Sequence, residues 1–204
     1  MAKDISKARP GEVTTEDLDY PADTNVKEGG TRGVRVLIDT LNVQTEACPD
    51  QKFVLLGYSQ GAMVIGDALA DAKTRMIGET TGALTQEAAE HVLAVVLYGD
   101  PRFEGQETFN VGSFDPKLGG IMPRQLGSLG TYAERIRDFC VEGDLVCQAS
   151  LAAGESREAV DSAQEQHVAY YTNGMQKEGP NSSSTSSTPK QRKLRQLDEL
   201  EVVL

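Results

Sequence analysis

The stretch Phe53-Val54-Leu55-Leu56-Gly57-Tyr58-Ser59-Gln60-Gly61-Ala62-Met63-Val64-Ile65 joins an apolar run, a Gly-x-Ser-x-Gly pentapeptide and a second apolar run. This order is typical of a nucleophile elbow, in which a buried strand turns sharply into a helix and exposes a serine. Two glycines suit such a turn because side chains at those positions would crowd the serine. We therefore predict a strand over 52–56, a helix from Ser59 to about residue 72, and Ser59 as the nucleophile.

An ordinary loop is the alternative interpretation of the pentapeptide, since Gly-x-Ser-x-Gly recurs by chance in chains rich in glycine and serine. The flanking apolar runs favour the elbow, because the motif requires a strand before it and a helix after it. The amino-terminal dipole of that helix would point at Ser59 and favour a developing negative charge there.

Hydrophobic spacing on both sides of the elbow predicts alternating helices and strands. Apolar residues at i, i+3, i+4 and i+7 indicate a helix over 31–46. These residues are Val34, Leu37, Ile38 and Leu41. The near-continuous apolar run over 92–98 is typical of a central parallel strand, and 135–140 alternates like a further strand. We predict an α/β domain with a mostly parallel sheet.

Length and charge limit the classes of function. A chain of 204 residues fits one domain, and its net charge of −11 disfavours nucleic acids and anionic membranes as partners. The first residues form no apolar segment of secretory length, and no run of apolar residues is long enough to span a bilayer. Three cysteines without zinc-ligand spacing predict neither a disulfide scaffold nor a metal site.

Both ends of the chain differ in composition from its centre. Residues 1–19 are polar and rich in turn signals, so we expect a weakly structured segment in which Val13 and Leu18 suggest a short edge strand. Residues 179–204 are Ser/Thr-rich and then charged, which predicts a disordered tail. Its last part could alternatively form an amphipathic helix through leucines 194, 197 and 200. The domain proper is then 20–178.

A serine nucleophile needs a base, and the chain has two histidines. His91 lies just before the apolar run at 92–98 and precedes the plausible acids, so we expect a structural or surface role for it. His167 follows the last recognisable strand, where a loop histidine could reach back over the end of the sheet. The order Ser, acid, His is that of α/β-hydrolases. We predict His167 as the base.

Asp144 is the preferred candidate for the acid that orients this base. It follows a predicted strand and lies between Cys140 and Cys147, which can close a small ring around it. Asp100 and Asp138 are the competitors. Asp100 stands in a Gly-Asp-Pro sequence that also fits a simple turn, and Asp138 would point along its strand.

Taken together, these motifs resemble the cutinase family of serine esterases, which includes acetylxylan esterases. The matching segments are Gly57–Ala62, Cys140-x-x-Gly143-Asp144-x-x-Cys147, His167-x-x-Tyr170, Tyr20-Pro21-Ala22 and Cys48-Pro49, within residues 20–176. The resemblance implies a three-layer α/β-hydrolase fold, a Ser59-Asp144-His167 triad and a Cys140–Cys147 disulfide. It also implies that Gln60 gives a backbone N–H to the oxyanion hole.

The same resemblance implies a secreted monomer without lid, metal or cofactor, which acts on cutin, short acyl esters or acetylated xylan. The chain departs from the family pattern in three respects. We find no first strand with its oxyanion loop ahead of Tyr20, no partner for Cys48, and no closing helix after the His167 segment. We therefore expect an amino-terminally incomplete chain in which the absent strand leaves a sheet edge exposed. A non-catalytic remnant of the fold is the alternative.

Overall fold

One parallel sheet organises the molecule, for which the computed structural model describes residues 2–23, 25–149, 157–175 and 200–203. Within those residues the sheet has the strand order β1-β6-β2-β3-β5-β4, and every neighbouring pair is parallel. The strands are β1 Val13–Glu16, β2 Lys52–Tyr58, β3 Val92–Tyr98, β4 Asn110–Val111, β5 Ile136–Phe139 and β6 Leu200–Val203. The predicted α/β fold with a parallel central sheet is confirmed.

Helices cover both faces of this sheet and complete three layers. They are α1 Ala2–Ala8, α2 Val26–Ala47, α3 Gln60–Leu69, α4 Gln86–His91 and α5 Arg157–Val168. Side chains of α2, α3 and α4 pack on one face, whereas α1 and the 3₁₀ turn Ala169–Tyr171 contribute to the core on the other face. No helix in the described ranges combines the length and the apolar character that crossing a membrane requires.

Helix α2 confirms the apolar face that the spacing predicts, because Val34, Leu37 and Leu41 are fully buried. The helix begins at Val26, about one turn earlier than expected. Gly29 and Gly30, in its first turns, allow close packing. A Cβ added at Gly30 would lie 2.6 Å from Ile77 Cδ1.

The sheet position beside β2 is occupied by β6, which comes from the carboxyl-terminal part of the sequence. Leu200–Val203 pair with Lys52–Leu55 on one side and with Val13–Glu16 on the other. We expected 179–204 to be a disordered tail, so β6 corrects that expectation for 200–203. The rest of the tail lies outside the described residues. Four residues rich in leucine and valine favour a strand, but they are too few to produce a periodic signal.

The amino-terminal segment is also more regular than we expected. It forms α1 and then β1, the short edge strand that Val13 suggested. Ala2, Ile5 and Val13 pack against the core on the face of the sheet opposite α2. These contacts could not be predicted from the mostly polar composition of the segment, because only a few apolar side chains make them.

Candidate active site

Ser59 forms the junction between β2, which ends at Tyr58, and α3, which begins at Gln60. Its φ is 54°, and no other non-glycine residue in the described ranges has a positive φ. Holding a side chain in this region costs on the order of 1–3 kcal/mol. The Ser59 backbone N–H donates to the Tyr98 carbonyl oxygen at 2.8 Å, which ties the junction to the end of β3. The local geometry is that of a nucleophile elbow.

The two glycines of the pentapeptide have different surroundings. A Cβ added at Gly57 would lie 2.7 Å from Ala62 Cα, so a side chain there would collide with the backbone of α3. At Gly61 the nearest atom would be the Tyr20 hydroxyl oxygen at 3.7 Å, an ordinary contact distance. The steric argument for both glycines is therefore confirmed for Gly57 and wrong for Gly61.

These surroundings predict opposite outcomes for two matched alanine substitutions. Gly57→Ala should lower the free energy of unfolding by about 1–3 kcal/mol, because the new methyl group displaces the start of α3. Gly61→Ala should be neutral or raise it by up to about 1 kcal/mol, because alanine favours the helix. Urea unfolding of both variants measures the difference. Equal destabilisation by both substitutions would contradict the packing described for Gly61.

His167 brings the two ends of the candidate triad together. Its Nε2 lies 2.9 Å from Ser59 Oγ, and its Nδ1 lies 3.0 Å from each carboxylate oxygen of Asp144. With the proton on Nδ1 donated to Asp144, Nε2 is left to accept the serine hydroxyl proton. His167 lies in the last turn of α5 rather than in the expected loop. The structure thus places the three predicted residues in contact.

Asp144 is fully buried, and its carboxylate accepts from two donors besides His167. The Val146 backbone N–H donates to Oδ1 at 2.8 Å, and the Tyr170 hydroxyl donates to Oδ2 at 2.7 Å. Burial and the neighbouring Asp144 carboxylate raise the pKa of Tyr170, which keeps its hydroxyl a donor. Sequence reasoning noted Tyr170 only as part of a motif. Its spacing of three residues from His167 was the available signal.

Tyr58 and Gly99 both lie against the imidazole ring of His167. The Tyr58 ring stacks on the His167 ring at a centroid distance of 5.1 Å, and its hydroxyl donates to the His167 carbonyl oxygen at 3.0 Å. Gly99, with φ of +56°, leaves space for the ring, since a Cβ there would lie 2.8 Å from His167 Cε1. Neither role was visible from the sequence.

Cys140 and Cys147 form a disulfide that encloses the loop carrying Asp144. Both cysteines are fully buried. Cys48 is a free thiol of intermediate exposure. The bond connects the residue after β5 to the segment after Asp144, and therefore restrains the carboxylate against the sheet.

The other candidates lie away from Ser59 or are engaged elsewhere. His91 precedes the first residue of β3, at the end of that strand opposite Tyr98, and burial lowers its pKa. Asp100 binds the Arg102 backbone N–H at 2.9 Å and pairs with the guanidinium of Arg124. Neither group competes for the triad positions.

A buried ionic cluster next to the site explains the environment of Asp100. Both Asp67 carboxylate oxygens lie 2.8 Å from Arg102 Nη1, and Arg124 bridges Asp67 and Asp100. Burial works against the charge of Arg124, but these two carboxylates outweigh it and raise its pKa. Asp67 belongs to α3 and Asp100 follows Gly99. The cluster therefore connects α3 to the turn at Gly99, which lies against the His167 ring.

The buried carboxyl group of Asp138 on β5 should make the stability of the protein depend on pH. Burial, and then the nearby Asp100 carboxylate, raise its pKa well above the ordinary 3.8. The folded protein thus retains a proton that the unfolded chain releases, so stability falls as pH rises above about 4, by up to about 1.4 kcal/mol per unit. Asp138→Asn should remove this slope and stabilise the protein at neutral pH. Urea unfolding of both proteins at several pH values measures this slope. The same pH dependence of the free energy of unfolding in the unsubstituted protein and in Asp138→Asn would contradict the prediction.

Known proteins resemble this chain in sequence and in fold. The sequence model of the cutinase family, described as Cutinase, matches residues 1–179. Cutinase 11 of Verticillium dahliae is 29% identical over 153 residues, which cover 70% of this chain and 51% of that protein. Acetylxylan esterase 2 of Talaromyces purpureogenus is also 29% identical over 153 residues, which cover 70% of this chain and 64% of that protein. The chain thus spans about half to two thirds of the length of these curated relatives.

Among solved structures, the catalytic core domain of acetyl xylan esterase from Trichoderma reesei superposes with a TM-score of 0.71 at 25% sequence identity. The superposition covers 91% of this chain and 88% of that one. A family match over most of the sequence, this likeness of fold and the elbow geometry lead to one conclusion: the chain belongs to the cutinase family.

Proposed function

We propose that this chain hydrolyses carboxylic esters through an acyl-enzyme on Ser59. The observation that supports the proposal is the continuous line of hydrogen bonds from Ser59 Oγ through His167 to the buried carboxylate of Asp144, with separations of 2.9 and 3.0 Å. Relatives named cutinase and acetylxylan esterase support the same class of reaction.

In the proposed reaction His167 Nε2 accepts the Ser59 hydroxyl proton while Oγ attacks the ester carbonyl carbon. The tetrahedral intermediate collapses, the bond to the alcohol oxygen breaks, and the imidazolium returns the proton to that oxygen. Water, deprotonated by the same imidazole, then attacks the acyl-enzyme and releases the acid and Ser59. Asp144 holds the productive tautomer and stabilises the imidazolium.

The oxyanion of each tetrahedral intermediate forms at the amino terminus of α3. The first N–H groups of a helix have no intrahelical acceptor and lie at its positive end. Gln60 is the first residue of α3, and its backbone N–H is the donor that we assign to the oxyanion. Its side chain points elsewhere, since Nε2 donates to the Asp23 carbonyl oxygen at 3.1 Å.

The proposed substrates are cutin or short acyl esters, with acetylated xylan as the alternative because acetylxylan esterases are among the relatives. We further propose an extracellular monomer. The Cys140–Cys147 disulfide supports an oxidising compartment, since such bonds are rare in the cytosol.

A fluorophosphonate probe tests the proposed function directly. It should label Ser59, and labelling should be lost in Ser59→Ala. Soluble p-nitrophenyl acetate and butyrate should be hydrolysed without a jump in rate at the solubility limit. A chain that is folded but neither labels nor hydrolyses these esters would be a non-catalytic remnant, and the proposal would be wrong.

A further inference from the structure

The Asp144 carboxylate presents both of its oxygens to His167. Nδ1 of the imidazole lies 3.0 Å from Oδ1 and 3.0 Å from Oδ2. The bond that joins a carboxylate to its Cβ has a broad torsional minimum, so the group turns easily when nothing holds it. A turn about this bond brings one oxygen nearer to Nδ1 and takes the other away. The equal distances therefore depend on groups that hold each oxygen in place.

Val146 and Tyr170 hold one oxygen each. The Val146 backbone N–H donates to Oδ1 at 2.8 Å, and the Tyr170 hydroxyl donates to Oδ2 at 2.7 Å. The disulfide sulfur of Cys147 is the alternative acceptor for this hydroxyl, at 3.5 Å. Sulfur is a weak acceptor, whereas the carboxylate is closer and charged, so the bond to Oδ2 prevails. Because Asp144 has no exposed surface, bulk solvent cannot replace either donor.

The Tyr170 hydroxyl is itself fixed, so it cannot follow the carboxylate if that group turns. The side chain is 1% exposed, and its ring lies 5.7 Å from the ring of Tyr98 and 6.3 Å from that of Tyr58. The hydroxyl oxygen accepts from the Val141 backbone N–H at 3.3 Å. This bond uses the acceptor side of the hydroxyl and leaves its proton for Asp144.

We propose that Tyr170 is a positioning residue of the triad, whose hydroxyl fixes the rotation of the Asp144 carboxylate so that both oxygens face His167. This role rests on the proposed ester hydrolysis. The 3₁₀ turn Ala169–Tyr171 follows α5 directly, so His167 and Tyr170 lie three residues apart on one helical segment. The same segment thus carries the base and the group that orients the acid.

Tyr170→Phe tests the hydroxyl alone, because it removes one oxygen atom and keeps the ring. The kcat for p-nitrophenyl butyrate should fall by about 10–100-fold, the range typical of losing a hydrogen bond to a charged group. KM should change by less than about twofold, because the buried hydroxyl makes no contact with substrate. Tyr132→Phe is the matched control. Tyr132 is a buried tyrosine in the core on the other face of the sheet, and its substitution should change neither constant.

A double-variant cycle separates positioning from a purely structural role. The Tyr170 hydroxyl also binds Val141, at the start of the disulfide loop, and that contact does not depend on the charge of Asp144. If the hydroxyl acts through the carboxylate, Tyr170→Phe should change the rate by less than about twofold in a protein that already carries Asp144→Asn. An equal loss in both backgrounds would overturn the proposal. So would retention of the full rate in Tyr170→Phe alone.

The hydrogen bond between His167 and Asp144 can also be followed without substrate. The proton on His167 Nδ1 should give a low-field NMR resonance whose chemical shift changes in Tyr170→Phe and stays constant in Tyr132→Phe. The same shift in all three proteins would overturn the proposal. A change in Tyr170→Phe, when even the unsubstituted protein hydrolyses no ester, would support the positioning of Asp144 while the proposed function fails.

The Tyr170 hydroxyl proton gives a measurement that needs no variant. Bonded to the buried carboxylate, it should exchange with water slowly enough to be observed by NMR in the unsubstituted protein. Rapid exchange of this proton would show that the hydroxyl does not hold Asp144, and the proposal would be wrong.

Discussion

Ser59→Ala is expected to lower the rate of ester hydrolysis by about 10⁶-fold, and His167→Ala should reach the same residual rate. In the proposed mechanism the hydroxyl and the imidazole, 2.9 Å apart, act as one unit, so that removing either stops acyl transfer. The double variant should be no slower than either single variant. The measurement is kcat/KM on p-nitrophenyl butyrate, with circular dichroism to confirm the fold.

Asp144→Asn belongs to the same experiment and should cost about 10⁴-fold, because an amide cannot hold the imidazole in the productive tautomer. His91→Ala is the control for the loss of a histidine. Its ring lies 6.5 Å from that of Phe53, at the far end of β3, and so the rate should be retained. Retention of activity in His167→Ala together with its loss in His91→Ala would show that the base has been assigned wrongly.

The elbow could be predicted because its signal is local. An apolar strand, a turn that needs Gly57 and an apolar helix follow one another within a few residues, and the structure shows the same sequence of elements. His167 and Asp144 could be proposed from chain order, since few histidines were available. Their contact with each other could not be derived, because it depends on how α5 lies across the sheet.

Long-range contacts explain what was missed around the site. The Tyr58 ring packs on His167, and Arg102 binds Asp67 across 35 residues of sequence. No periodicity marks such pairs. The helix that carries His167 was missed for a related reason: Arg157–Val168 is mostly polar, so it lacks the apolar stripe by which helices are recognised.

The carboxyl-terminal strand is the largest departure from what the sequence predicts. Composition suggested that 179–204 has too little apolar surface to fold, and this reasoning treats a segment as if it were alone. A strand inserted between two others gains both ladders at once, so four residues suffice when the slot already exists. Whether the sheet depends on β6 is therefore a question about the stability of the whole domain.

Val202→Pro should lower the free energy of unfolding by about 3 kcal/mol or more, compared with Val202→Ala. Val202 lies opposite Thr15 in β1 and Val54 in β2, so a residue without an N–H and with a fixed φ breaks the ladder at the centre of the strand. Alanine also removes the branched side chain of valine but keeps the N–H and a free φ, which makes it the control for loss of the side chain.

Detachment of β6 would also expose the edge of β2 next to the elbow, and an unpaired edge favours association between chains. Val202→Pro should therefore elute partly as larger oligomers in size-exclusion chromatography, whereas Val202→Ala should elute like the unsubstituted protein. Urea unfolding gives the stability of both variants. If the two proved equally stable and eluted alike, residues 200–203 would not be part of the sheet in solution.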